Sequence, residues 1–124
     1  MSAKLFLAAG ALFGATGVGL GAFGAHALTA RLSQSGLDVW DTAVSYQLTH
    51  ALALLAVGIL VREPTPGSTA FGIAGWAFAV GVLLFSGSLY LLALGGPRML
   101  GPITPLGGVA FIVGWLALLV GALR

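Results

Sequence analysis

The sequence predicts an all-α membrane protein with four transmembrane helices in an up-down antiparallel bundle. Three observations predict it. Hydrophobic residues make up 59% of the 124-residue chain and charged residues only 6%, against roughly 25% charged in an ordinary soluble domain. So few charges cannot cover a water-facing surface, so most of the chain must face lipid. Four apolar stretches run Leu5 to Leu28, Thr42 to Val61, Ala70 to Leu94 and Thr104 to Leu123, and none contains Lys, Arg, Asp or Glu. Each has about 20 residues or more, enough to cross a ~30 Å hydrocarbon core at 1.5 Å per residue. Finally, the connections are short, which makes sequence neighbours antiparallel neighbours. The whole chain therefore reads as a single domain, residues 1–124. A backbone in lipid must satisfy its own hydrogen bonds, and continuous rather than alternating apolar runs favour helices over a barrel.

The first span imitates a secretory signal, with Lys4, an apolar run and Ala25-His26-Ala27. The run is longer than a signal's apolar region, so it is expected to stay as a span. Residues 29–41 carry Arg31, Leu32, Leu37, Asp38, Val39, Trp40 and Asp41. They are expected to form a short interfacial helix, with Asp38 or Asp41 capping the second span. Residues 62–69, Arg-Glu-Pro-Thr-Pro-Gly-Ser-Thr, are turn chemistry. Gly95-Gly96-Pro97 ends the third helix, and Thr104-Pro105 starts the fourth, with Thr104 as its cap. Lys4, Arg62 and Arg124 share one side, while Arg31 and Arg98 lie on the other with Asp38 and Asp41. The positive-inside rule then places both termini in the cytoplasm.

Small residues form seams. Gly10, Gly14, Gly17, Gly21 and Gly24 recur at a period of 3.5, with a second stripe at Ala15, Gly19, Ala22 and His26. The last span repeats the pattern at Gly107, Ala110, Gly114, Ala117 and Gly121, and the third has Ala70, Ala74, Ala77, Gly81 and Ser88. Apolar burial does not drive helices together in lipid, so close backbone approach must do so. Two small faces on the first helix predict that it lies between two neighbours, within the chain or from another subunit.

Other chemistry is excluded or weak. There is no Cys, which removes disulfides, thiol chemistry and Cys-ligated metals. Five cations against three acids give a net charge of +2, a loop bias rather than a nucleic-acid surface. Gly19-Leu-Gly21-Ala-Phe-Gly24 matches a dinucleotide fingerprint, with Asp41 downstream. It lies late in an apolar span, without the strand that the fingerprint needs before it.

The polar residues inside the spans are expected to gather in the outer half of the bilayer: His26, Tyr46, Gln47, His50, Ser86, Ser88, Tyr90 and Thr104. Gln47 and His50 fall roughly 8–12 Å inward from the start of their span at 1.5 Å per residue. Tyr46, Gln47 and His50 can share one surface, as can Ser86 and Tyr90. Buried polar groups in hydrocarbon need partners, and intramembrane ionisable residues are functional candidates. The plainer account is interhelical bonding, worth ~0.6 kcal/mol per bond. No cofactor or metal is expected, and no catalytic set can be placed. Haem held by His26 and His50 is the remote alternative, set back by their different depths. No carboxylate lies in a span, so a proton or cation relay lacks its usual group.

Four blocks carry a resemblance. They are Gly21-Ala-Phe-Gly-Ala-His26, Tyr46-Gln-Leu-Thr-His50-Ala-Leu-Ala-Leu-Leu55, Leu84-Phe-Ser-Gly-Ser-Leu-Tyr90 and Thr104-Pro-Leu-Gly-Gly108 followed by Gly114-Trp115. With them the chain resembles the domain-of-unknown-function family 423, small bacterial inner-membrane proteins similar to the eukaryotic transmembrane protein 256 group. The resemblance implies a four-helix membrane protein and no known activity.

Two functions are therefore expected to compete. One is a non-enzymatic membrane component that packs with itself or with other membrane proteins. The other is a binder or conduit for a small molecule, lipid or ion at the outer-half cluster. The second needs a cavity open to that side, and a cluster paired entirely within the protein counts against it.

Overall fold

A computed structural model describes residues 2–124. It contains α1 (Ser2–His26), α2 (Gln34–Leu60), α3 (Ser68–Gly81), a π-helical turn (Val82–Ser86), α4 (Gly87–Ala93), a 3₁₀ turn (Arg98–Leu100) and α5 (Ile103–Ala122). α3, the π-turn and α4 run on as one rod, so four helical rods are long and apolar enough to cross a membrane. They alternate up and down, as predicted.

α2 is the central helix. About half of its apolar window is buried, against 17% for α1 and for α5. It packs α1 on one side and the α3–α4 rod on the other, while α5 packs chiefly on α3 and the π-turn. The core joins Phe6, Ala53, Leu54, Val57, Ala74, Phe78, Val82 and Phe111.

Two local expectations are corrected and a third is narrowed. No separate interfacial helix forms: α2 begins at Gln34, and Ser33 caps it by accepting the Gly36 N–H at 3.1 Å. Ser33 offers a hydroxyl more than one turn before Asp38 and more than two before Asp41. Asp38 then falls within the helix and accepts from Gln34 Nε2 at 2.9 Å. Thr104 is not the cap of α5, which begins at Ile103 without a side-chain cap, leaving the Thr104 hydroxyl to meet Ser88. Nor is α1 held between two neighbours of this chain. It lies against α2 and touches α3 mainly through Phe6, whose ring meets Trp76 edge-on at 5.6 Å. Ala15, Gly19, Ala22 and His26, on its far side, are exposed.

The turn after α4 follows its glycines. Gly95 has φ +90°, a conformation that suits glycine, and the Gly96 N–H bonds the Leu91 carbonyl at 2.7 Å while the Gly95 N–H bonds Leu92. This is a Schellman close.

The small residues meet bulk across each helix pair. A Cβ at Gly10 would press on Ala51 O and Leu55, at Gly17 on Leu48, at Gly21 on Val44, and at Gly24 on the Trp40 indole. Gly14, in the same stripe, has nothing within 4 Å. Between α3 and α5, Phe71, Phe78 and Phe85 lie on Gly121, Gly114 and Gly107, and Phe111 returns the contact onto Gly81.

Candidate functional site

The polar residues are set by this packing. Gln47 is buried at 4% exposure and faces α1. Its Nε2 donates to the Phe13 carbonyl at 2.9 Å and to Thr16 Oγ1 at 2.8 Å, and its Oε1 accepts from Tyr90 Oη at 2.6 Å. One amide thus joins α1, α2 and α4. The Tyr90 ring lies against Trp40 at 4.7 Å, and Trp40 Nε1 donates to the Leu20 carbonyl at 2.8 Å.

Ser86 is completely buried at 0% exposure, and its hydroxyl donates to the Ala43 carbonyl of α2 at 2.7 Å. It closes the π-turn, where the Gly87 N–H reaches back to the Val82 carbonyl. Ser88 turns the other way, bonding Thr104 of α5 and lying 3.0 Å from the Phe85 carbonyl.

His50 forms a third group. Trp115 Nε1 lies 3.0 Å from His50 Nε2, and His50 Nδ1 lies 2.7 Å from the Tyr46 carbonyl. An indole N–H only donates, so Nε2 is the acceptor and the proton sits on Nδ1. His50 is therefore the neutral Nδ1–H tautomer, with both nitrogens in use. Its ring stacks on Phe111 at 3.7 Å and 11°. Its neighbours Phe78 and Trp115 lie close to the middle of their spans. His50 is thus at the inner limit of the expected half, near mid-bilayer.

Expected neighbours therefore separate into groups. Tyr46 and His50 share a face, their rings parallel to within 16° at 6.1 Å. Gln47 turns away to α1. His26 is exposed at the end of α1 and bonds none of the others. Reaching an iron from His50 Nε2 would cost the Trp115 bond, and no structural contact brings His26 to it. Among the described residues, no group of three or more His, Asp or Glu side chains is placed to hold a metal. No buried side-chain nitrogen or oxygen there lacks a hydrogen-bond partner. The buried polar side chains are bonded within the protein.

Sequence reasoning missed Trp115 and Thr16 as partners, and the groove beside His50. Residues of α2, the π-turn and α5 line an open-sided groove of about 420 Å³, including Tyr46, His50, Phe85, Gly108, Phe111 and Trp115. An indole in an apolar helix signals that an acceptor must be near. Nothing in the one-dimensional pattern says on which helix.

The blocks carried by these residues agree with comparison to known proteins. A family model described as "Protein of unknown function (DUF423)" matches residues 20–108. The chain belongs to this family. Members similar to it include the UPF0382 membrane protein SSP2132 of Staphylococcus saprophyticus, 48% identical over 123 residues and 98% of both chains. The UPF0382 membrane protein SERP0230 of Staphylococcus epidermidis is 46% identical over 98% of this chain and 97% of its own. The UPF0382 membrane protein YwdK of Bacillus subtilis is 45% identical over 121 residues, again 98% of each chain. No solved structure matches. The chain is thus a membrane protein of the DUF423 family, and the relatives named are bacterial membrane proteins.

Proposed function

We propose that the chain is a non-enzymatic component of the bacterial cytoplasmic membrane that works by lateral packing with another membrane protein, a second copy of itself included. The observation that carries this is the far face of α1. Ala8, Ala15, Gly19 and Ala22 lie in line, opposite the stripe that meets α2, and all are exposed. A Cβ at Gly19 would find nothing within 4 Å. Such a furrow lets a second helix approach closely, and close approach drives association in lipid. Lys4, Arg62 and Arg124 support placing both termini in the cytoplasm.

Native mass spectrometry of protein released gently from its own membrane tests the packing. A multimer or a co-purifying subunit is expected, and Ala15→Leu with Gly19→Leu should release it while leaving the fold intact. A strict monomer without a partner would reject the proposal.

A further inference from the structure

A site independent of the α1 furrow lies on the opposite side of α2. We propose that the groove between α2 and α5 binds a membrane-dissolved molecule with a flat, conjugated ring that carries a carbonyl, of the quinone class with an apolar tail.

Depth is the first argument. His50 sits near mid-bilayer, and the groove is open on one side along α5, where Val109, Ile112 and Trp115 are exposed. A molecule reaching this depth from the side must be dissolved in hydrocarbon. Its volume of about 420 Å³ is in the range of small-molecule sites and fits a bicyclic ring with a short length of tail.

The lining is the second argument. Tyr46, Phe85, Phe111, His50 and Trp115 form a continuous aromatic wall, with Tyr46 to Phe85 at 4.5 Å and His50 to Trp115 at 5.8 Å. Such a wall offers faces and edges to a conjugated ring, which prefers offset or edge contacts with aromatics. An acyl chain has no use for that arrangement.

A single hydroxyl is the third. Tyr46 lines the groove and is 44% exposed, and its phenol has no hydrogen-bond partner among the described residues. Every buried polar side-chain atom nearby is paired. A phenol facing hydrocarbon without an acceptor carries an unmet cost, which a ligand carbonyl would relieve. His50 cannot supply a second donor, because its one N–H is bonded to the Tyr46 carbonyl. The site therefore offers one donor on an aromatic wall. That matches an uncharged carbonyl ring better than an anion or a hydroxyl-rich headgroup.

The structure also supplies a plug. Gly108 lines the groove, and a Cβ there would meet only Phe85 ring atoms at 3.9–4.0 Å, an ordinary contact. Gly108→Leu should thus fold and fill the space.

The test uses the whole protein in lipid nanodiscs and a naphthoquinone with a two-isoprene tail as probe, read by quenching of tryptophan fluorescence and by native mass spectrometry. Saturable binding is expected, abolished in Gly108→Leu and weakened about tenfold in Tyr46→Phe, the equivalent of one hydrogen bond. Thermal unfolding of both variants checks that they remain folded. Two competitors separate the sources of the signal. If a carbonyl-free hydrocarbon of the same shape, or excess phospholipid with its ester carbonyls, displaces the probe equally well, the ring-carbonyl assignment is overturned. Binding that survives in both variants, or the absence of saturable binding to the native chain, overturns the site.

Discussion

At the scale of single residues, Gln47 and His50 do most to tie the helices together, and they do so differently. Gln47, on α2, spends the two ends of its amide on two other helices, α1 and α4. Gln47→Leu would remove these bonds and leave the Tyr90 hydroxyl without its acceptor, at a cost of about 2 kcal/mol. Adding Tyr90→Phe should return part of that loss, and a double-mutant cycle of unfolding in mixed micelles measures the coupling. Strictly additive losses would mean that the Tyr90 bond contributes nothing. For His50 the bond from Trp115 dictates the tautomer. Nitrogen NMR of labelled protein should find the proton on Nδ1, and Trp115→Phe should free Nε2 and change that spectrum. The chemical types were legible at this scale. A Gln and a His in apolar spans stand out at once, but their partners were not, because Thr16, Phe13 and Tyr46 contribute a hydroxyl or carbonyls that any sequence contains.

At the scale of elements, glycine placement separates permissive positions from demanding ones. Gly107 faces the backbone of Phe85, which cannot move aside as a side chain can. Gly107→Ala should therefore cost about 2–3 kcal/mol by overpacking. Gly14→Ala meets nothing within 4 Å, and should be neutral or stabilising by up to about 1 kcal/mol, since alanine favours a helix more than glycine does. Equal losses from the two, measured by thermal unfolding in the same detergent, would show that the α3–α5 seam is looser than drawn. Ser33→Ala should loosen the first turn of α2 at a cost of about 1 kcal/mol, visible as faster hydrogen exchange near Gly36. The seams were half legible. Glycines at a fixed period are visible in one dimension, whereas nothing there pairs them with the phenylalanines seven apart at 71, 78 and 85 that lie on them. The spans were legible for a simpler reason, since hydrocarbon leaves a backbone few choices. The start of α2 was not, because Ser33 and Asp38 are both competent caps by residue type.

At the scale of the molecule, two pairs of rods stand out. α1 with α2, and α3–α4 with α5, are each joined along small residues, and each pair consists of sequence neighbours. Between the pairs run the bonds of Ser86 to Ala43, Tyr90 to Gln47 and Trp115 to His50. Each pair should thus form as it enters the membrane, with the polar bonds closing last. Chains covering residues 1–63 and 64–124, expressed together, are expected to assemble and co-purify. Gln47→Leu should weaken their association, and halves that never meet would show that the exposed turn between them is itself required.

The π-turn has a consequence of another kind. It accommodates five residues where a regular helix would set its phase with four per bond. Closing it into regular α-helix with all of its residues kept would swing everything beyond by roughly 100°. Ser88 would then face away from Thr104 and Tyr90 away from Gln47. The extra residue is thus absorbed where it stands, and a chain one residue shorter at that point should run through as unbroken α-helix and keep the same amide and hydroxyls in phase.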